Sequence, residues 1–292
     1  MTNSISLPSK FNQFLLAFKG VPAISIAILV TFVFFGLFGS FFLPYDPTEM
    51  DLMSAEKPPF WMTEGSTAHI LGADEMGRDV LARLIGGASV SLQVSLVVIL
   101  LAGSVGITIA LLSGFIGGKV DAVLMMVTDI FMSMPYLLIA MVLAAVLGPS
   151  KNNIILILAL LGWAGYARIL RSEVLRLKDQ DFVKLAEVAG CSKFRIMTRE
   201  ILPNIVNTLI IMATLQVGTV IIAESSISFL GLGVPPPEPA WGSMVADGRD
   251  FLTSSWWICL WPGLAILFTV LSCNLLGDWL RLRLDPKFRQ IQ

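Results

Sequence analysis

Residues Ser89–Ile116 read SVSLQVSLVVILLAGSVGITIALLSGFI, a run without a charged side chain and with a single amide, Gln93. A hydrocarbon core about 30 Å thick takes roughly 20 apolar residues as helix, so this run is long enough to cross a bilayer. Five further apolar stretches follow the same reading: Val21–Leu43, Val123–Leu147, Ile154–Leu170, Ile205–Leu230 and Trp256–Leu280. The whole chain agrees with them. Of its 292 residues 55% are hydrophobic and only 14% charged, and the mean hydropathy is +0.80. Soluble domains carry about 25% charged residues, so this chain lacks the charge to cover a soluble surface. The expectation is an all-α, multi-pass membrane protein with six spans over residues 21–280, an N-terminal tail over 1–20 and a C-terminal tail over 281–292.

Several function classes fall away on composition. Twenty Lys and Arg against 21 Asp and Glu leave a net charge of −1, so no global basic field for nucleic acid exists. His69 is the only histidine, which excludes two-histidine zinc motifs. Cys191, Cys259 and Cys273 lie at no Cys-x-x-Cys spacing and read as small packing residues. No phosphate loop is present. The nearest stretch, Gly114-Phe-Ile-Gly-Gly-Lys119, has the wrong spacing and is followed by Val120. The first apolar run exceeds the 7–15 residues of a signal-peptide core and has no A-x-A-like site after it, so it reads as a retained anchor.

Orientation follows from the short loops. With the N-terminus cytoplasmic, the inside segments hold fifteen Lys and Arg and the outside segments five, which places both termini in the cytoplasm. The outside loops are then Pro44–Ala88, Gly148–Asn153 and Gly231–Ser255, with Trp61, Trp241, Trp256, Trp257 and Trp261 near that interface.

The segment Arg168–Pro203 carries eight basic and five acidic residues, yet keeps Phe182, Leu185, Ala186 and Ala189, then Phe194, Met197 and Ile201, at helical spacing. It reads as two short amphipathic helices hinged at Gly190, whose backbone is permissive, with Pro203 opening the next span. On chemistry alone, such a pair either lies along lipid headgroups or docks a cytoplasmic partner.

These residues resemble a known family. Lys184-Leu-Ala-Glu-Val-Ala-Gly190 followed by Leu202-Pro203-Asn204 is similar to the coupling motif of ATP-binding-cassette importer permeases, E-A-A, three residues, G, nine residues, I-x-L-P. Ala186, Gly190, Leu202 and Pro203 match it, while Lys184, Leu185 and Glu200 depart from it. Two further stretches resemble the dipeptide, oligopeptide and nickel group of that family. One is His69-Ile-Leu-Gly-Ala-Asp-Glu-Met-Gly-Arg-Asp-Val-Leu-Ala-Arg-Leu-Ile-Gly-Gly-Ala88, where Ala73 and Ala82 replace the usual Thr and Ser. The other is Ser228-Phe-Leu-Gly-Leu-Gly233, Pro235-Pro-Pro-Glu-Pro-Ala-Trp-Gly242, Asn274-Leu-Leu-Gly-Asp278 and Asp285-Pro286. The likeness covers about residues 20–289 and points to the C-type permease component. It implies an importer-type permease fold, a second homologous permease subunit as heterodimer partner, two cytoplasmic ATPase subunits and an extracytoplasmic substrate-binding protein. ATP and Mg would be used by the ATPase partners, with no cofactor on this chain. The cargo implied is a di- or oligopeptide, with nickel or another small solute such as glutathione or an oligosaccharide as the alternative. Ala186, Glu187, Gly190, Leu202 and Pro203 would form the ATPase-coupling segment.

Two carboxylates fall within spans, Asp129 and Glu224. Each costs about 2.5–3.5 kcal/mol at the bilayer centre, so each either lines a translocation path or closes an interhelical hydrogen bond. Pro135 should kink the third span, Glu224 marks a place where the fifth could break, and Gly103, Gly106 and Gly114 suit close helix approach. In the first outer loop, Gly77–Arg83 reads as a short amphipathic helix with Arg78 and Asp79 as a local pair; Pro235–Pro237 stiffens the third. An ion-coupled secondary transporter would need internal repeats and broken midplane helices, and an intramembrane hydrolase would need a catalytic constellation such as Gly-x-Ser-x-Gly; neither pattern stands out.

Overall fold

The computed structural model describes residues 22–43 and 45–284. The expected tails, with Asp285-Pro286, lie wholly or partly outside that range. The described residues form a helical bundle: α1 (Ala23–Phe38), α2 (Val80–Leu111), α3 (Gly118–Ser133), α4 (Tyr136–Leu147), α5 (Lys151–Lys178), α6 (Asp181–Val188), α7 (Leu202–Phe229), α8 (Trp241–Gly248) and α9 (Trp257–Leu284). Five helices are long and apolar enough to cross a membrane, or six if the bent α3–α4 pair counts as one span.

Apart from the first (Ala23–Phe41), the spans run longer than the apolar runs. The second begins at Val80, where Asp79 caps it by accepting from Ala82 N at 2.8 Å, an arrangement worth about 1 kcal/mol. The expected Gly77–Arg83 helix is therefore no separate element: its second half is the first turn of α2. The fourth span is a single helix through Lys178, whose last turns carry charge because they leave the apolar layer. In the third, Pro135 does more than kink. α3 stops at Ser133, α4 starts at Tyr136, and their axes turn by 84°, since proline can neither donate to the preceding turn nor fit beside its carbonyl. The break feared near Glu224 does not occur, and α7 is continuous to Phe229.

Three apolar clusters hold the bundle. One joins α2, α4, α5 and α7 around Val94, Ile154, Leu158 and Ile227. A second, at the end bearing Gly190, packs Tyr166, Leu170, Val174, Val183, Ile196 and Ile201. The third, at the end bearing Arg78, gathers Phe32, Val80, Trp241, Met244 and Trp257. Close approach is built from glycine: a Cβ on Gly106 would lie 2.4 Å from Tyr166 Cβ, and one on Gly277 2.5 Å from Leu215. Gly114 likewise faces Val174, but Gly103 meets nothing within 4 Å and makes no such contact.

At the Arg78 end the long loop folds back onto the bundle. The indoles of Trp257 and Trp241 donate to Ala73 O (3.0 Å) and Leu84 O (2.8 Å). Arg78 turns away from Asp79 and toward Asp74 (2.6 Å) and Glu75 (2.8 Å), while Asp79 faces His69 Nδ1 at 3.0 Å. The anticipated Arg78–Asp79 pair is thus replaced, because Asp79 is already engaged as the helix cap.

Candidate functional site

At the opposite end, α6 closes on a turn that explains Gly190. Gly190 N donates to Glu187 O and Cys191 N to Ala186 O, both at 3.0 Å, the double bond of a left-handed helix stop. Gly190 has φ +75°, a conformation that disfavours a side chain. Two residues on, Ser192 accepts from Arg195 N at 3.3 Å and starts the next helix.

That next helix is not a second short one. Lys193–Arg195 passes through a widened, π-helical stretch, Ile196–Ile201, straight into α7. Pro203 stands in the first turn of α7, as expected, although that helix runs on directly from the widened stretch before it. The widened turn ahead of it accommodates the missing N–H and the ring, and Asn204 Nδ2 donates to Glu200 O at 2.6 Å.

Burial sorts the five expected coupling residues. Val183, Ile196 and Ile201 anchor the segment in the second cluster, with Ala186 and Leu202 half-buried against it. Glu187, Gly190 and Pro203 are exposed. The inward position on α6 is Val183; Phe182, Leu185 and Ala189, which the spacing grouped with Ala186, face outward. Leu185 (67% exposed), Val188 (87%) and Phe194 (72%) consequently form an apolar surface around the Gly190 turn. Large side chains so exposed beside charged Lys184, Glu187 and Lys193 suit contact with a protein. Val188 carried no signal in the sequence beyond being apolar.

Glu224 is fully buried and lies inside this chain, away from any open face. Ser228 Oγ donates to its Oε1 at 2.7 Å and Ser225 Oγ approaches Oε2 at 3.5 Å. Both bonds stay within α7, so they hold the carboxylate from its own helix and are not the interhelical bond weighed from sequence. Asp129 is the opposite case. It pairs with Arg168 of α5, yet both side chains stay about half exposed, and Asp121 pairs with Arg171 in parallel through two bonds of 2.6 Å.

Such a surface, on a bundle of membrane-crossing helices, defines a multi-pass transport subunit. Residues 106–290 match the family described as binding-protein-dependent transport system inner membrane component, and the chain belongs to that family of inner-membrane permeases. It is 37% identical, over 98% of its length and 95% of the relative's, to a di/tripeptide transport system permease protein of Pseudomonas aeruginosa. It is 41% identical to a dipeptide transport system permease protein of Escherichia coli, covering 91% of this chain and 89% of that one. A probable D,D-dipeptide transport system permease protein of Escherichia coli is 38% identical over 92% and 89%.

Proposed function

We propose that this chain is the transmembrane subunit of an ATP-driven importer of di- or oligopeptides and forms half of its translocation pathway. The observation that carries this reading is near full-length similarity to three permeases named for di- or tripeptide transport. The apolar surface at Leu185, Val188 and Phe194 supports an ATPase partner docked at the Gly190 turn.

The partners are a second, homologous permease, two ATPase subunits and an extracytoplasmic binding protein, with ATP and Mg²⁺ used on the ATPases. Both termini lie in the cytoplasm, as the basic excess in the inside segments supports. Residues 1–20 and 281–292 are then cytoplasmic tails on the permease domain of residues 21–280. Substrate enters between the two permeases from outside, and ATPase closure, acting at Ala186, Glu187, Gly190, Leu202 and Pro203, reorganises the spans.

The test is affinity purification of the tagged chain from its native membrane in mild detergent, followed by reconstitution. Recovery of a second permease and phosphate-loop ATPases, with ATP-dependent peptide uptake, is expected. A chain recovered alone that transports on an ion gradient, or a complex that carries nickel and no peptide, overturns the reading.

A further inference from the structure

The elbow between α3 and α4 opens into a concavity of about 210 Å³. Met132, Met134 and Tyr136 line it from the elbow, and Gln216 and Thr219 from α7. On the α5 side the wall is bare backbone at Gly165, where a Cβ would meet nothing within 4 Å.

Three polar groups converge there without a partner among the described residues. The Tyr136 hydroxyl is buried and makes no hydrogen bond. Neither the Gln216 amide nor the Thr219 hydroxyl bonds to any described residue, whereas Thr214 on the same helix donates to Ile210 O at 2.9 Å and Ser226 to Ile222 O at 2.7 Å. Within a membrane-crossing segment, unpaired polar groups are costly unless they face water or a polar ligand. The half-exposed Asp129–Arg168 pair lies one turn from Met132 and from Gly165, and charged groups in such a segment favour water or protein over lipid.

We propose that this concavity is the subunit's contact site for the amide backbone of a peptide in transit. The assignment rests on the peptide reading given above and adds the site to it. An amide offers one N–H and one C=O; the Gln216 carboxamide matches both, and the Thr219 and Tyr136 hydroxyls donate or accept as needed. None of these groups is charged, so recognition is of the main chain common to every peptide. Met132 and Met134, flexible and polarisable, adapt to differing side chains. The lining holds no His, Cys, Asp or Glu, so of the usual transition-metal ligands it offers only the thioethers of Met132 and Met134.

The test uses the complete transporter in proteoliposomes, with radiolabelled dipeptide at saturating binding protein, and reads peptides carried per ATP hydrolysed. Gln216→Leu and Thr219→Val should each lower that ratio about fivefold, the loss of one hydrogen bond of roughly 1 kcal/mol. Thr214→Val, whose hydroxyl is satisfied within its own helix, should keep the wild-type ratio. General damage to the fold would lower uptake and hydrolysis together and leave the ratio unchanged. Thr219 is exposed, so its variant carries the test if Gln216→Leu fails to assemble. A wild-type ratio in both variants, beside an active wild type, overturns the site alone. No peptide uptake by the wild-type complex overturns the peptide reading and the site with it.

Discussion

Arg78 Nε and Asp74 Oδ2 meet at 2.6 Å, with both side chains only 3% exposed. The other Asp74 oxygen accepts from Met76 N and Arg78 N at 2.9 Å each. Arg83 approaches Asp74 at 3.3 Å, and both arginines come within 4 Å of Asp247 on α8. Asp74 thus holds the two arginines that link the start of α2 to Asp247 on α8. Removing Asp74 takes away the nearest of three carboxylates around Arg78 and Arg83, and breaking a buried pair costs up to about 3–5 kcal/mol. Asp74→Ala should therefore lower the melting temperature of the detergent-solubilised protein by several degrees. An unchanged melting temperature would show that the network is solvated.

The same cluster carries a pH signature. Burial first, and then the neighbouring Asp74 carboxylate, hold Glu75 above its ordinary 4.5; burial likewise raises Asp247 above 3.8. A raised carboxyl binds its proton more tightly in the folded state, so its ionisation opposes folding above the raised value. That opposition fades as pH falls through the raised value toward the ordinary one. Glu75→Gln should leave stability equal or higher at neutral pH and flatten its pH dependence between neutrality and about 4.5. Circular-dichroism melts from pH 4.5 to 7.5 check the sign, and a loss of stability at neutral pH would reverse the account.

Gly190→Val places a β-branched residue at φ +75°. Nothing lies within 4 Å of its new Cβ, so the cost is backbone strain of about 1–2 kcal/mol, enough to reshape the turn without unfolding the bundle. Membrane insertion should persist while peptide uptake falls at least tenfold (about 1.4 kcal/mol) relative to ATP hydrolysis. Normal uptake would count heavily against a coupling role for this turn.

Val188→Asp changes a side chain that is 87% exposed. Melting should shift by less than about 0.5 kcal/mol-equivalent, as for most surface changes, but co-purification of the ATPase subunits should drop at least tenfold. Retention of the ATPase at wild-type stoichiometry would move the docking surface elsewhere.

Reporter fusions after Asp181 should report cytoplasm and fusions after Glu64 the outside. The reverse pattern would overturn the basic-residue argument for orientation.

The membrane-crossing helices, the turn at Gly190 and the break at Pro135 were legible in the sequence because apolar run length, glycine and proline act locally. Other features were not. The sequence offered Arg78 its neighbour Asp79, but which carboxylate it meets depends on Asp79 being taken by Ala82 N. The continuity of Lys193–Phe229 through Pro203 needed a widened turn that no residue pattern announces. Glu224 looked alike as path or packing until Ser228, one turn on, was seen to donate to it inside the bundle. The half-exposed state of Asp129 and the unpaired Gln216 depend on how the elbow turns, which Pro135 signals only as a break.

The uninterrupted helix from Lys193 to Phe229 spans 37 residues, about 55 Å at 1.5 Å per residue. Its one irregularity is the widened turn at Ile196–Ile201. Its Lys193 end adjoins the Gly190 turn, its middle carries Gln216 and Thr219, and its far turn packs against α8, where a Cβ on Gly242 would lie 2.2 Å from Ser225 O. On the proposed coupling role, a displacement applied at Ser192 therefore has one helix through which to reach both the concavity and α8.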